Sequence, residues 1–412
     1  MKKLINSVFM IVVMAMFITS CGDDAIIPNP DPGTGDHEVL WSYDMGFGAM
    51  DDITPAIDNN DNSYYSIING ETSEVVVFAL DKDGNELWKH ELDANAAGKT
   101  IYADNKLFIA TDIPVGIYCL DAASGNVEWS KNLTEDYDFQ WMPITAFANG
   151  KLYISSGQLT DGFLVAYDIS GNEVWVKQTN LLGGTLNLSV SGNALYFHDG
   201  YSLFRYNDNG ASCDSIWEYD FSKKGSKGMI NFYTLPIGED GNIYIREDNI
   251  NIISPDGQLV NTINLDASFN EGYYSNITLT SNNDILIGKG NLVKMSSTGN
   301  IEWETDINDG MIINPAFVTA PVISSNGDFY DAQLFGLYSV KANGKLNWKE
   351  NAETGAGIEY GNLHPPVLTH EGNIISVSAE QKFVRCFKGD GQGLATSGWP
   401  KPFGDYGNTS SK

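Results

Sequence analysis

The sequence predicts an all-β fold, a closed ring of eight four-stranded antiparallel blades, and three observations predict it. From residue 50 onward, short Val/Ile/Tyr/Phe runs alternate with Asp-Gly, Asn-Gly and Ser-Gly turns, and no stretch shows a 3.6-residue apolar period. The unit Ala79-Leu80-Asp81-Lys82-Asp83-Gly84-Asn85-Glu86-Leu87-Trp88 returns as Cys119-Leu120-Asp121 with Gly125 and Trp129, and as Ala166-Tyr167-Asp168 with Gly171 and Trp175. Drifted copies end at Trp303 and Trp348, and two copies are damaged: an insertion containing Cys213 separates Gly210 from Trp217, and Asn261 takes the place of one tryptophan. Successive copies stand roughly 45 residues apart, the length of one β-propeller blade.

Taken in order, residues 1–20 read as a secretory signal: Lys2-Lys3, an apolar stretch from Val8 to Ile18, then the small residues Thr19 and Ser20. The stretch is too short for a mature membrane-spanning helix. Ile18-Thr19-Ser20-Cys21 resembles the bacterial lipobox, which implies cleavage before Cys21 and a lipid on its sulfur. Residues 21–37, with Pro28, Pro30, Pro32 and Gly33, cannot form a core and read as a tether. Gly22 in the second mature position makes the lipobox resemblance imply the outer membrane, on its periplasmic or its surface side.

Residues 38–404 are the propeller. Each unit offers an inner strand, a hydrophobic second strand such as Asn149-Gly150-Lys151-Leu152-Tyr153-Ile154, a third ending in the Asp turn, and a fourth carrying the tryptophan. Asp or Asn in such a turn bonds the backbone two residues on, and Gly supplies positive φ. A tryptophan at a fixed offset can then lie over the neighbouring blade. The eighth unit, running to Phe387, lacks its own Trp, whereas Glu38-Val39-Leu40-Trp41-Ser42-Tyr43 reads as a lone fourth strand one repeat early. Pairing the two closes the ring and removes two open sheet edges. Trp41, Trp88, Trp129, Trp175, Trp217, Trp303 and Trp348 therefore share one structural position. Residues 405–412 read as a C-terminal tail.

The spacing A-x-D-x-x-G-x-x-x-W resembles the tryptophan-docking repeat of quinoprotein-like propellers, and the closing Trp399-Pro400-Lys401-Pro402-Phe403-Gly404-Asp405 resembles a Trp-Pro segment frequent near the ends of such repeat proteins. With the signal and lipobox, the chain is similar to the propeller lipoproteins of the outer-membrane β-barrel assembly machinery. That resemblance implies a non-catalytic protein-interaction scaffold in the cell envelope. The quinoprotein enzymes it also brings to mind need adjacent bridged cysteines and a Ca²⁺ site; Cys119, Cys213 and Cys386 lie far apart in sequence, and no cofactor is expected.

Other chemistry is poorly supplied. With 53 Asp+Glu against 24 Lys+Arg, the net charge of −29 repels nucleic acid and anionic headgroups. The five histidines, His37, His90, His198, His364 and His370, have no nucleophile motif or zinc spacing around them. Asp58-Asn59-Asn60-Asp61-Asn62-Ser63 and the Asp81 turn crowd oxygen ligands, yet neither completes a calcium loop and no metal is expected. Cys119 and Cys386 hold equivalent strand positions and read as buried thiols. An alternative function, surface binding of carbohydrate or another polymer, would use aromatics such as Tyr64-Tyr65, Trp141 and Tyr273-Tyr274.

Overall fold

The computed structural model describes residues 37–412 apart from 49–53, 96, 138, 140–141, 158–161, 180–186, 222–234, 247–248, 266–268, 270–275, 289–290, 308–319, 334–335, 352–364 and 379–381. Cys21, the signal and nearly all of the tether lie outside the described residues. Eight antiparallel sheets follow one another, seven of them four-stranded. Blade 1 runs Ala56–Ile57, Ser63–Ile68, Val75–Leu80, Glu86–Leu92, and blades 2 to 4 repeat that order. Blade 5 has three strands, Ile243–Arg246, Ile250–Ile253 and Leu259–Ile263, and Ile237 bridges Ile243 where the inner strand stands elsewhere. Blade 8 is completed from the other end of the chain: Val39–Asp44 pairs with Phe383–Phe387, placing Trp41 opposite Cys386. The eight-bladed ring closed by the N-terminal strand is as the repeat predicts.

Burial grades outward across each blade. Val75–Leu80 is buried throughout, whereas Glu86–Leu92 buries only Trp88 and Leu92. The apolar clusters lie between neighbouring sheets, as where Tyr65 and Phe78 of blade 1 meet Val377 and Val384 of blade 8. Each such side chain contributes about 1.5–3 kcal/mol. The core is therefore a circle of blade-to-blade interfaces.

Every blade also repeats one irregularity. Ala79 faces Trp88, but Leu80 faces Glu86, so Leu87 is an extra residue in a β-bulge. The same slip precedes Trp129, Trp175, Trp217, Asn261, Trp303, Trp348 and Trp41. The tryptophan then leaves its own blade for the next. The Trp88 indole Nε1 donates to Ala122 O at 2.9 Å, Trp129 to Ile169 O at 3.1 Å, Trp217 to Pro255 O at 2.9 Å, Trp303 to Ala342 O at 3.2 Å and Trp41 to Lys82 O at 2.9 Å. Beneath each ring lies the turn glycine: a Cβ on Gly125 would come within 2.4 Å of Trp88, and one on Gly84 within 2.5 Å of Trp41.

Three junctions differ. Trp175 Nε1 donates to the Asp208 carboxylate (3.0 Å), because the longer turn before Cys213 leaves Gly210 with no neighbour within 4 Å of a would-be Cβ. Asn261 Nδ2 reaches Ser297 O at 3.0 Å, keeping the donor without the indole, while Ile263 covers Gly299. Trp348 Nε1 is buried without an acceptor among the described residues; its ring stacks on His37 at 3.9 Å, and His37 Nε2 contacts Lys388 O.

Two comparisons test this. Gly125 (φ +72) and Gly150 (φ +68) share a left-handed backbone, but only Gly125 has an indole above it. In urea titrations Gly150→Ala should cost about 1–2 kcal/mol for the backbone alone, and Gly125→Ala a further 1–3 kcal/mol for the clash. Likewise Trp88→Phe should cost about 1 kcal/mol more than Trp348→Phe, since only Trp88 loses a made hydrogen bond.

Candidate functional site: the closed axis of the ring

A propeller's usual binding place is the funnel along its axis, and here the chain itself enters that space. Residues 393–412 touch the inner position of every blade. The inner-strand N–H groups of Ile57, Tyr102, Phe147 and Val190 donate to the carbonyls of Tyr406, Gly407, Thr409 and Ser410, at 2.8–2.9 Å. Those of Leu279 and Ile323 donate to Trp399 and Pro400 at 3.0 and 2.8 Å. In blade 5, Glu239 accepts Gly398 N–H at 2.7 Å and pairs with Lys412 at 2.9 Å. In blade 8, the Tyr406 hydroxyl donates to Thr369 O at 3.3 Å. Six sheet edges that would otherwise present free donors to the axis are thus covered. These contacts lie at the strand ends next to the first hairpin turns, so the segment seals that end of the axis.

Its conformation is set by short polar residues. Asn408 and Ser410 hold φ of 58° and 53°, and Asn408 Nδ2 donates to both Thr54 O (2.8 Å) and Thr100 O (3.0 Å). The Asp405 carboxylate accepts Thr409 N–H at 2.9 Å and its hydroxyl at 2.5 Å. Trp399, 1% exposed, anchors the entry and donates its indole N–H to Pro402 O at 3.1 Å.

Two lysines converge on this segment. Lys401 is fully buried and its Nζ contacts Asn408 Oδ1. Lys99, half-buried by surface area, sends its ammonium inward to Ser410 Oγ and over the Phe403 ring at 4.6 Å. Both acceptors are neutral. Burial pulls each lysine down to about 7, with Asp405 opposing the fall and the Lys401 charge adding to it at Lys99.

The Asp58 carboxylate takes the N–H groups of Asn60 and Asn62 and the Tyr64 hydroxyl at 2.8, 2.9 and 3.0 Å, and Asp81 takes those of Asp83 and Asn85 at 2.9 and 2.8 Å. Both oxygen-rich stretches are turns that use their carboxylates on their own backbone. In the sister turn, the Asn172 side chain, with backbone N–H groups, holds Asp168 below the usual carboxylate range. Asp61 leaves its own turn to accept the backbone N–H and Nδ1 of His370, at 2.6 and 2.7 Å, joining blades 1 and 8. His198 is buried and pushed down to about 3 by desolvation, which keeps its ring neutral. Cys119, Cys213 and Cys386 are free, buried thiols, each raised to about 12 by burial. Tyr64 and Tyr65 are 2% and 0% exposed and pack internally, so they present no face to a sugar; Trp141, Tyr273, Tyr274 and His364 lie outside the described residues. The seven tryptophans stand at blade junctions, away from the axis. Residues 405–412, expected as a C-terminal tail, are bonded inside the ring; backbone hydrogen bonds hold them, and those leave no mark on hydropathy.

A family model described as outer membrane protein assembly factor BamB matches residues 73–227. That stretch runs from the third strand of blade 1 to the end of blade 4. The quinoprotein-like resemblance carried by the motifs therefore has support beyond them. Among solved structures, the chain is similar to a quinohemoprotein alcohol dehydrogenase from Pseudomonas putida HK5, with TM-score 0.60, 13% identity, and coverage of 90% of this chain and 78% of that one. It is also similar to Sqt1 of Saccharomyces cerevisiae, with TM-score 0.66, 9% identity, and coverage of 85% and 98%. AztD of Citrobacter koseri gives TM-score 0.52, 11% identity, and coverage of 75% and 88%. At such identities the shared property is the fold. No curated protein matches the sequence.

The axial lysines set a pH dependence. Their folded value of about 7 lies below the ordinary 10.5, so between those limits the unfolded chain holds protons that the folded one does not. Stability rises with pH across that window, by up to about 1.4 kcal/mol per pH unit per lysine, and is lost as pH falls toward 7. Denaturation midpoints measured from pH 7 to 9.5 should climb, and Lys401→Met should flatten the climb by about half.

Proposed function

We propose that this chain is a lipid-anchored, non-catalytic propeller that serves as a protein-interaction scaffold in the bacterial envelope, in the assembly of outer-membrane proteins. The observation that carries the reading is the occupied axis. With residues 393–412 bonded to all eight blades, one end of the funnel is filled by the chain's own backbone. The rim and the loop faces remain for contact, and such surfaces suit proteins better than small substrates.

The match of residues 73–227 to the assembly-factor model supports the envelope setting. So do the Lys2-Lys3 signal layout and the lipobox-like Cys21. The cysteines agree with export: three buried thiols of raised pKa are poor nucleophiles and survive an oxidising compartment unpaired.

Affinity capture from gently solubilised envelopes of the native host tests the role. Recovery of a barrel-assembly component is expected, and capture without one would sink the assembly reading. Cys21→Ala should shift the protein from the membrane pellet to the soluble fraction; unchanged sedimentation with membranes would remove the lipid anchor.

A further inference from the structure

The fourth strand of each blade is an outer edge, with one row of backbone N–H and C=O groups facing solvent. Such edges recruit foreign strands unless guarded, and charged side chains are one guard. Seven of the eight carry it within the strand: Glu86–Leu92 has Glu86, Lys89 and Glu91, and Ile301–Thr305 has Glu302 and Glu304. Leu259–Ile263 of blade 5, Leu-Val-Asn-Thr-Ile, has none, and the uncharged run extends from Gly257 to Leu265. The same strand has lost its tryptophan. It also exposes two adjacent apolar side chains, Leu259 at 45% and Val260 at 55%. The other adjacent pair, Val39 and Leu40, follows Glu38, which is ion-paired with Lys388 at 2.6 Å. The bulge at residue 260 is common to all eight outer strands and does not set blade 5 apart. Among the described residues, no backbone hydrogen bond covers the outer side of Leu259–Ile263.

We infer that the outer edge of blade 5 is a strand-addition site, which takes an extended segment of a partner protein as a further strand along Leu259–Leu265. This rests on the scaffold reading and names its interface. Backbone bonds would supply affinity, and apolar side chains at alternate positions would meet Leu259 and Val260. Charge selects the partner: Asp256 precedes the strand, Asp214 and Glu218 lie on the neighbouring outer strand, and the whole chain carries −29, so basic residues should flank the incoming segment. A second copy would bring a further −29 to the same edge and be repelled.

The test uses the intact protein and a synthetic nine-residue peptide of alternating Val and Thr with Lys at both ends and the centre, bearing a photo-cross-linker. Cross-links should map to residues 257–265. Val260→Lys should weaken binding at least tenfold, as should N-methylation of alternate peptide amides, which leaves the protein untouched. Leu87→Lys, at the equivalent bulge of a strand that already carries charge, should change binding less than twofold. Cross-links spread over all outer strands, or indifference to both Val260→Lys and N-methylation, would overturn the site. So would a dimer in sedimentation that Val260→Lys dissociates, because the occupant would then be a second copy. Failure here leaves the envelope capture experiment intact, and failure of that capture leaves this binding measurable.

Discussion

The ring is held by an indole resting on a glycine of the next blade. A tryptophan can lie that close to a neighbouring backbone only where no Cβ intervenes, and the turn can close only where φ is positive; glycine meets both demands at once. Because each unit carries the glycine that receives one indole and the tryptophan that is given to the next, the motif is a link with two ends. The bulge before each tryptophan sets the angle at which the link leaves its sheet. Where the link is altered, the contact is rebuilt with other atoms: the Asp208 carboxylate below Trp175, the Asn261 amide in place of an indole, and His37 stacked on Trp348.

The same interlock makes the ring legible in the sequence. Trp, Gly and Asp at constant offsets are what the interlock requires, so blade number, strand order and the return of Trp41 to close the ring were all legible. The direction of the link was less so, since Trp88 and Gly84 stand in one motif but belong to different junctions. The axis was nearly invisible. Tyr406 to Ser411 contains no aliphatic side chain, and its place is fixed by main-chain bonds to residues hundreds of positions away. Lys401 gave no sign of burial, because a lysine among prolines reads as surface. Trp399-Pro400 is visible in the sequence as a motif, but its purpose is not: the indole plugs the entry while the two carbonyls cap neighbouring blades.

For function, the contrast between axis and rim matters most. The interior is spent on the chain's own stability, down to two ammonium groups held among neutral acceptors. The rim is acidic and well guarded along seven edges and bare along one. One end of the axis is closed by the chain's own backbone while one outer edge stands unguarded, an arrangement that favours contacts made from outside the ring.

The two fastenings at the chain's extremes bear on the order of events during synthesis. Val39–Asp44 finds its partner only when Phe383–Phe387 exists, and residues 393–412 are bonded to blades made long before. Emerging blades can form hairpins singly, yet the circle cannot be joined before residues 383–387 are made, nor the axial edges capped before residues 393–412 are. Closure of the ring and capping of the axis therefore depend on long-range contacts made by the last-synthesised of these residues. A polypeptide that must be threaded through a narrow pore before it folds would gain from that delay, because it stays loosely structured for as long as the passage lasts.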